Sequence, residues 1–322
     1  MKRVALTGAS GFIGANLTRR LIAEGCEVHL LLRQNYNPWR IESIQKNVKI
    51  HIVNLQDPRS TRKVIEAIQP DWVFHLAAYG AYSSQTEYQQ MIDTNLTSTI
   101  NLVNACMEVG FEAFINTGSS SEYGYKDHPP KEDEWIEPNS IYAITKAAAT
   151  HYCRFIAQSK KVSLATVRLY SVFGPYEEPT RLIPSLIIEG LQGKLPPLVN
   201  PTIARDFVFV NDVSNAYISL ASNSSKISSE VFNLGTGTQV SIQEVVEIAR
   251  QLLPIQENPL WGSMPDRQWD TSCWVCDHSR ITKAVNWQLS SSFAEGFQET
   301  INWFKTHPEM IEYYRLYREA IS

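Results

Sequence analysis

The first residues of the chain constrain its fold more than any other stretch. A short apolar run at residues 4–6 predicts a buried strand, and residues 15–24 have helical periodicity. Between them, three glycines follow one another at intervals of three residues: Gly8, Gly11 and Gly14. Glycine permits a tight turn and a close approach of the backbone to a ligand, and the N–H groups of a helix N-terminus attract an anion. The stretch therefore predicts a diphosphate site at the start of a βαβ unit.

Strand and helix patterns alternate through the rest of the first half. Apolar runs predict strands at residues 27–33, 48–53, 71–78, 113–119 and 163–170. Helical patterns are found at residues 58–69, 86–109 and 142–160. This order predicts an α/β fold with a doubly wound parallel sheet of the Rossmann type, and ligands at the carboxyl ends of its strands.

The second half has shorter elements and no flexible linker before it. Candidate elements lie at residues 182–191, 205–210, 231–234, 241–253 and 293–304. We expect a Rossmann domain at residues 1–170 and a smaller substrate-binding domain at residues 171–322, packed directly on it. Segments near residues 205–235 are expected to pack back on the first domain. The cleft between the two domains is the natural substrate site.

Composition narrows the class of protein. The 322 residues carry a net charge of -4, which gives no support to nucleic acid or an anionic membrane surface as a partner. No apolar run approaches the roughly 18 to 20 residues that span a bilayer. The N-terminus enters a strand directly, which is not typical of a signal peptide. Five scattered cysteines suit a reducing compartment, so we expect a cytoplasmic protein without nucleic-acid or membrane partners.

Cys273, Cys276 and His278 form a pattern that suggests a metal. A structural zinc site needs four ligands, commonly from two such cysteine pairs, and the sequence has no second CxxC. We therefore expect no metal.

Tyr142 and Lys146 give the strongest chemical signal. They lie four residues apart at the start of a predicted helix and therefore share a face. An ammonium beside a phenol favours the phenolate, so we expect Lys146 to lower the pKa of Tyr142 from its usual value of about 10. Tyr142 could then act as a general acid or base near neutral pH. The alternative is an accidental pair on a solvated helix.

Eight motifs follow one another in a specific order. They are TGASGFIG at 7–14, HLAA at 75–78, DTNLTST around Asn95, NTGSSSEYG at 116–124, YAITK at 142–146, RLYSVFGP at 168–175, RDFVFVNDV at 205–213 and FNLGTG at 232–237. In these motifs the chain resembles the extended short-chain dehydrogenases/reductases, in their nucleotide-sugar epimerase, dehydratase and 4-ketoreductase group. The resemblance covers nearly the whole chain.

The resemblance implies catalytic roles for three residues. Tyr142 would exchange a proton with the sugar oxygen at the carbon that exchanges hydride. Lys146 would hold the nicotinamide ribose and tune Tyr142. Ser119 would hydrogen-bond the reacting oxygen, and the alternative is a serine that only caps the backbone at the end of a strand.

The resemblance also implies a set of residues that line the cofactor site. They are Gly8, Ser10, Gly11, Phe12, Ile13, Gly14, Arg33, Asn54, Leu55, Leu76, Ala77, Ala78, Asn95, Thr117, Tyr142, Lys146, Tyr170 and Val172. Relatives that prefer NAD usually end the second strand with an acidic residue, whereas this chain has Arg33 there and Arg40 seven residues on. A guanidinium suits the 2′-phosphate of NADP. NADP(H) is therefore favoured and NAD(H) stays possible, because Arg33 could instead stack on the adenine. Asn54 also replaces the carboxylate expected near the adenine.

Ser120 and Ser121 separate the possible reactions. Sugar 4,6-dehydratases of this group need an acidic pair directly after the catalytic Ser or Thr to remove the C6 hydroxyl, and this chain has two serines there. Glu122 comes one position later, where a strand would point it the other way. We therefore disfavour a dehydratase, although Glu122 could enter the site if the loop is not extended.

Further candidate substrate ligands lie in the second half. Guanidinium groups bind a diphosphate as charge-assisted forks, with surface ion pairs as the alternative. Together with Ser120 and Ser121, the candidates are Arg181, Arg205 and Arg267. Trp261, Trp269 and Trp274 could stack on a base, but core packing is the commoner role of tryptophan.

These expectations give a leading function and two alternatives. The leading function is NADPH-dependent reduction of a 4-keto nucleotide-diphospho sugar, with a 6-deoxy sugar favoured. The first alternative is a nucleotide-sugar 4-epimerase with tightly bound NAD(P), and the second is a dinucleotide-sensing protein without turnover. By resemblance, the long helices at 86–109 and 142–160 pair two subunits into a homodimer.

Overall fold

The computed structural model describes residues 1–82, 84–264 and 273–320. The strands are β1 (Arg3–Thr7), β2 (Glu27–Leu32), β3 (Lys49–Ile52), β4 (Trp72–His75), β5 (Ala113–Ser119), β6 (Leu164–Leu169), β7 (Ser171–Phe173), β8 (Ala204–Arg205), β9 (Phe207–Phe209), β10 (Val231–Leu234) and β11 (Val240–Ser241). The α-helices are α1 (Phe12–Ala23), α2 (Pro58–Ile68), α3 (Tyr88–Ile92), α4 (Ser98–Val109), α5 (Ile141–Lys160), α6 (Leu182–Gly190), α7 (Val210–Ser222), α8 (Ile242–Leu252), α9 (Ser279–Val285), α10 (Phe293–Thr306) and α11 (Pro308–Glu319).

A seven-stranded parallel sheet forms the centre of the protein. Its strand order is β10-β6-β5-β4-β1-β2-β3, and each neighbouring pair is parallel. The predicted doubly wound Rossmann-type fold is confirmed. The chain direction across the sheet reverses between β1 and β4, and ligands of such sheets bind outside the carboxyl ends of the strands at this point.

Alternating residues of the strands fill two cores, one on each face of the sheet. Leu6 and Phe74 lie in one cluster with residues of α1 and α7, whereas Ala5 and Val73 lie in the other with residues of α2, α4 and α5. This alternation follows from the two-residue period of a strand. A third cluster joins β7 and β9 to the helices of the second half, including α6, α8, α10 and α11.

Segments after residue 205 complete the Rossmann sheet. Strand β10 pairs with β6 in the register Val231↔Thr166, and α7 contributes Val213, Ala216 and Leu220 to the core that α1 also covers. The second half therefore contributes to both the sheet and one of its two helical layers.

The helical stretch predicted at about 86–109 is present from Tyr88 to Val109. It contains a π-helical turn at Asp93–Thr97, between α3 and α4. A π turn inserts one residue into the helical ladder and re-aims the side chains around it. Here the buried side chain is that of Asn95, which is fully inaccessible to solvent.

Other elements also differ from the sequence prediction. Strand β4 ends at His75 rather than residue 78, because the next backbone N–H groups turn to the Thr7 hydroxyl. The candidate element at 205–210, whose type was left open, contains the end of β8 and all of β9, and Val210 begins α7. Helices α7, α9 and α11 were not predicted.

Several large apolar side chains are exposed on α5 and its neighbour α3. They are Tyr88, Ile92, Ile144 and Phe155. The homodimer stays a prediction.

In the three described ranges, no helix has the length and apolarity needed to cross a bilayer.

Candidate active site

The glycine turn after β1 has no room for side chains. Gly8 has φ +73°, and a methyl group on it would lie 2.6 Å from the Leu76 carbonyl carbon. A methyl group on Gly14 would lie 2.8 Å from the Gly8 carbonyl carbon and closer still to its oxygen. Gly11 is the N-cap of α1 and provides no side-chain cap. The helix N-terminus is therefore open to an anionic ligand, and the turn fits the diphosphate of a dinucleotide.

Ser119, Tyr142 and Lys146 come together at the carboxyl end of β5. Ser119 is the last residue of this strand, and α5 carries Tyr142 in its first turn and Lys146 one turn later. Ser140 caps α5 by accepting a hydrogen bond of 3.2 Å from the Ala143 N–H. The Ser119 side chain lies close enough to the Tyr142 phenol to favour its ionised form.

Burial, rather than Lys146, decides the pKa of Tyr142. Desolvation raises the pKa of Tyr142 to about 12, and the nearby Ser119 hydroxyl opposes this shift. The expected lowering of the Tyr142 pKa by Lys146 is therefore wrong. Desolvation also lowers the pKa of Lys146 to about 8, against an opposing attraction by Glu122. Tyr142 is thus a protonated acid at neutral pH, beside a lysine whose charge is finely balanced.

A buried histidine on β4 connects the end of β1 to α4. His75 Nδ1 lies 2.7 Å from the Thr7 hydroxyl, and Nε2 lies 2.9 Å from the Thr99 hydroxyl. Thr99 already donates to the Asn95 carbonyl oxygen at 2.7 Å, so His75 must donate from Nε2 and accept at Nδ1. Burial lowers the pKa of His75 to about 3, which keeps this tautomer neutral.

Asn95 extends this network to Tyr142. Its Nδ2 donates to the Tyr79 carbonyl oxygen at 2.8 Å and to the Thr145 hydroxyl at 3.0 Å, and its Oδ1 accepts from the Tyr79 N–H. Thr145 in turn donates to the Tyr142 carbonyl oxygen at 2.8 Å. Asn95, which was expected to line the cofactor channel, thus holds the backbone of α5 and of the loop after β4.

Glu122 lies in the interior rather than in the substrate cleft. Residues Ser120–Tyr123 form a 3-10 helix, so the loop is not extended, which is the alternative under which Glu122 could have entered the site. The turn directs the Glu122 carboxylate to Arg168 Nε at 2.8 Å, with both side chains almost fully buried. Ser120 is buried and Ser121 is half-buried at the start of this turn. The two positions directly after Ser119, where the resemblance places the acidic pair of a 4,6-dehydratase, hold Ser120 and Ser121.

The two arginines near the cofactor site have different surroundings. Arg33 is exposed directly after β2. Arg40 is buried and donates to Glu178 at 2.9 Å and to the Tyr176 carbonyl oxygen at 2.8 Å, with a longer contact to the Ser10 carbonyl oxygen. Arg40 is therefore held beside the glycine turn by these contacts and is not free to bind a 2′-phosphate. The expectation that Arg40 assists Arg33 in binding NADP is wrong.

Other predicted cofactor residues lie around the same edge of the sheet. Thr117 pairs with the Tyr217 hydroxyl at 2.7 Å, and Asn54 caps a turn by accepting from the Gln56 N–H at 3.1 Å. Tyr170 is buried with its ring centre 6.3 Å from that of Trp274. The remaining ones follow the strand ends, start α1 or, for Val172, lie within β7: Phe12, Ile13, Leu55, Leu76, Ala77, Ala78 and Val172.

The arginines expected to bind a substrate diphosphate are distant in sequence from Ser119, Tyr142 and Lys146. Arg181 is the N-cap of α6 with its side chain 43% exposed, 3.8 Å from Glu177. Arg205 stacks over the Trp274 ring at 5.5 Å and donates to the Ala204 carbonyl oxygen. Arg267 lies outside the described residues. Within the described ranges, no group of three or more His, Cys, Asp or Glu side chains could hold a metal ion.

Glu177 is a second buried carboxyl group, and it predicts a pH dependence of stability. Burial raises the pKa of Glu177 to about 8, because half-exposed Arg181 at 3.8 Å compensates poorly and Glu177 Oε2 has no hydrogen-bond partner among the described residues. Between about pH 4.5 and pH 8 the folded state holds a proton that the unfolded state has lost, so this group's contribution to stability falls as pH rises. Glu177→Gln stays neutral and should exceed the wild-type Tm at pH 8 by at least about 2 °C, with a smaller gap at pH 4.5. Thermal unfolding at the two pH values tests this, and an equal gap at both would contradict it.

Comparison with known proteins places these features in one family. The model of the NAD dependent epimerase/dehydratase family matches residues 4–235. The chain belongs to this family. It is an extended short-chain dehydrogenase/reductase of the nucleotide-sugar epimerase and dehydratase group, as the motifs indicated.

Relatives in this family match over nearly their full length. The UDP-glucuronate 4-epimerase of Thermodesulfobacterium geofontis is 27% identical, over 95% of this chain and 97% of its own. The dTDP-glucose 4,6-dehydratase of Xanthomonas campestris is 26% identical, over 95% and 94% respectively. The structure of the UDP-glucose 4-epimerase of Thermus thermophilus in complex with NAD has a TM-score of 0.80 and 26% identity, over 94% and 99%.

Sequence reasoning missed the polar residues behind this family's site. Thr7, His75, Thr99, Thr145 and Arg168 are buried at its rear. For Thr7, His75 and Arg168 the signal in the sequence is a polar residue at or near the carboxyl end of an apolar strand, whereas Thr99 and Thr145 lie on helices and have no such signal. That pattern alone does not separate them from residues that touch a ligand.

Proposed function

We propose that this chain reduces a 4-keto nucleotide-diphospho sugar by hydride transfer to C4, with NADPH as the cofactor and without elimination. The single observation that supports this most strongly is the contrast around β5. Tyr142 lies near Ser119 and Lys146 follows it by one turn on α5, whereas Glu122 is held in a buried ion pair with Arg168. These groups suit proton transfer to a carbonyl oxygen, and the described residues directly after Ser119 offer no free acid for removing a C6 hydroxyl.

Proton transfer in this reaction would come from Tyr142. When bound, the nicotinamide ring supplies the hydride. Tyr142 donates its phenolic proton to the C4 oxygen, and its raised pKa keeps that proton in place at neutral pH. Ser119 uses an oxygen lone pair to cap the Ser121 N–H at 3.2 Å, so its own proton remains available to the same C4 oxygen. The Lys146 ammonium, one turn further along α5, stabilises the phenolate that forms.

The preference for NADPH would depend on Arg33. Its exposed guanidinium follows β2 directly, at the position where the second strand of such sheets meets the adenosine ribose. A charge-assisted hydrogen bond contributes about 1.5–3 kcal/mol. We expect Arg33→Ala to weaken NADPH binding about 10- to 100-fold while NADH binding changes little, which fluorescence titration measures. The same substitution at Arg20, which pairs with Glu24 on the surface of α1, is the control. Equal losses for both cofactors would contradict the role of Arg33.

A 4-epimerase is the second candidate, and the relatives favour it. The relatives from Thermodesulfobacterium geofontis and Thermus thermophilus are 4-epimerases, and the latter's structure is a complex with NAD. An epimerase returns the hydride to the same sugar and therefore keeps its cofactor bound, whereas a reductase must exchange it after each turnover.

Release of bound nucleotide separates the two candidates. Freshly purified protein is denatured with acid, and the released nucleotides are identified by mass spectrometry. We expect substoichiometric cofactor, exchangeable for added NADPH. Stoichiometric NAD that persists through purification would instead support the epimerase.

A further inference from the structure

The Glu122 carboxylate makes a complete set of contacts with the catalytic elements. Its Oε1 accepts hydrogen bonds from the Ser119 N–H at 2.9 Å and from the Thr150 hydroxyl at 3.1 Å. Its Oε2 accepts from Arg168 Nε at 2.8 Å. The carboxylate therefore joins the end of β5, the middle of α5 and β6.

The chain leaves space for this carboxylate. A methyl group on Gly118 would lie 2.6 Å from Glu122 Oε1 and 2.9 Å from a methyl carbon of Thr166. The residue before Ser119 is thus limited to glycine by the buried oxygen rather than by its backbone angles, since its φ is not positive. Gly118 thus leaves space for the Glu122 carboxylate, and Thr150 donates a hydrogen bond to it.

The same carboxylate lies against the helix face that carries Lys146. Thr150 follows Lys146 by four residues on α5 and therefore lies on the same face one turn on. Among the described residues, three groups interact with the charge of Lys146. One of them is the Glu122 carboxylate, whose attraction opposes the cost of burying the ammonium. The other two are Cys153 on α5, whose thiol pKa burial raises to about 12, and the neutral His75 on β4.

We propose that Glu122 is a positioning residue whose carboxylate keeps the Lys146 ammonium protonated and fixes Ser119, and so sets the upper pH limit of hydride transfer. The sign follows from the charges. An anion near an ammonium favours its protonated form, and removal of the anion lets the ammonium lose its proton at lower pH. Only the kinetic part rests on the proposed function, because the charge of Lys146 is a property of the chain itself.

A pair of substitutions removes the Glu122 carboxylate together with the Arg168 guanidinium, so that neither charge is left buried without its partner. Glu122→Gln alone would leave the Arg168 guanidinium buried and unpaired, at a large cost in stability. In Glu122→Gln combined with Arg168→Met, the amide oxygen can still accept from Ser119 and Thr150, and methionine fills the space of the arginine stem. Glu132→Gln is the matched control, because Glu132 is another buried carboxylate paired with an arginine, Arg280, at 3.2 Å.

The test follows Lys146 itself by NMR. Lysine is labelled with 13C at Cε in protein without added cofactor, and the Lys146 signal is assigned by its loss in Lys146→Arg. We expect the pKa of Lys146 to fall by about one unit or more in the double variant and to stay unchanged in Glu132→Gln. An unchanged Lys146 titration in the folded double variant would overturn the proposal.

The kinetic arm uses the pH profile of kcat/KM for a 4-keto nucleotide-diphospho sugar. The alkaline limb should move to lower pH in the double variant by the same amount as the NMR titration. A shifted titration with an unmoved limb would overturn the claim that this charge sets the pH limit. A shifted titration without turnover of any sugar, in the wild type as well, would contradict the proposed function and still support the effect of Glu122 on Lys146.

Discussion

Tyr142→Phe should lower kcat for reduction of a 4-keto nucleotide sugar by about 100- to 10,000-fold, because it removes the proton donor and little else. The phenol lies beside Ser119 at the end of β5, and burial keeps it protonated at neutral pH. The ring stays in place, so the affinity for NADPH should change less than about threefold. Steady-state kinetics and a fluorescence titration of NADPH measure the two quantities.

Tyr152→Phe provides a matched control on the same helix. The Tyr152 hydroxyl donates to Asn104 Oδ1 at 2.7 Å on the exposed side of α5, away from Ser119. The control should keep nearly full turnover. A Tyr142→Phe variant that is folded, binds NADPH and turns over as fast as this control would show that another group donates the proton.

Gly14→Ala should weaken NADPH binding about 10- to 100-fold. A methyl group there would lie 2.8 Å from the Gly8 carbonyl carbon and 2.9 Å from Ala9 Cα, and none of these backbone atoms can move without opening the turn. Overpacking of this kind costs about 1–3 kcal/mol, and each 1.4 kcal/mol corresponds to a factor of ten in affinity. Isothermal titration with NADPH measures the loss.

Gly25→Ala is the control for this substitution. Gly25 lies just beyond the other end of α1, where a methyl group would meet nothing within 4 Å, although its φ of +74° makes alanine strained. It should therefore lose some thermal stability and keep its affinity for NADPH. If folded Gly14→Ala bound NADPH as tightly as the wild type, the glycine turn would not be the diphosphate site.

Local sequence patterns were sufficient to predict the sheet and its ligand edge. The apolar run before Gly8 and the helical spacing after Gly14 depend on neighbours a few residues away, and so does the YAITK spacing on α5. These patterns predicted a parallel sheet because alternating strands and helices leave few topologies. The YAITK spacing also indicated Tyr142 as a candidate acid or base, and the family resemblance added Ser119, which the fold places near it.

Long-range contacts explain what the sequence could not predict. No local pattern predicts a partner for Arg40, but Glu178, which is 138 residues away in the sequence, accepts a hydrogen bond from it. The direction of Glu122 depends on a 3-10 turn and on Arg168 from the next strand. The pKa of Tyr142 depends on how many groups bury it, which no spacing of four residues reveals.

The central claim is hydride transfer to C4 of a nucleotide sugar, and deuterium transfer tests it most directly. The protein is incubated with NADPH deuterated at C4 of the nicotinamide, in separate samples for each face, and with CDP-, dTDP-, UDP- and GDP-linked 4-keto sugars. Mass spectrometry and NMR then locate the label. We predict one deuterium at C4 of a reduced sugar, from one face of the cofactor only, and none with Tyr142→Phe. A protein that binds NADPH but transfers deuterium to none of these sugars would contradict the account.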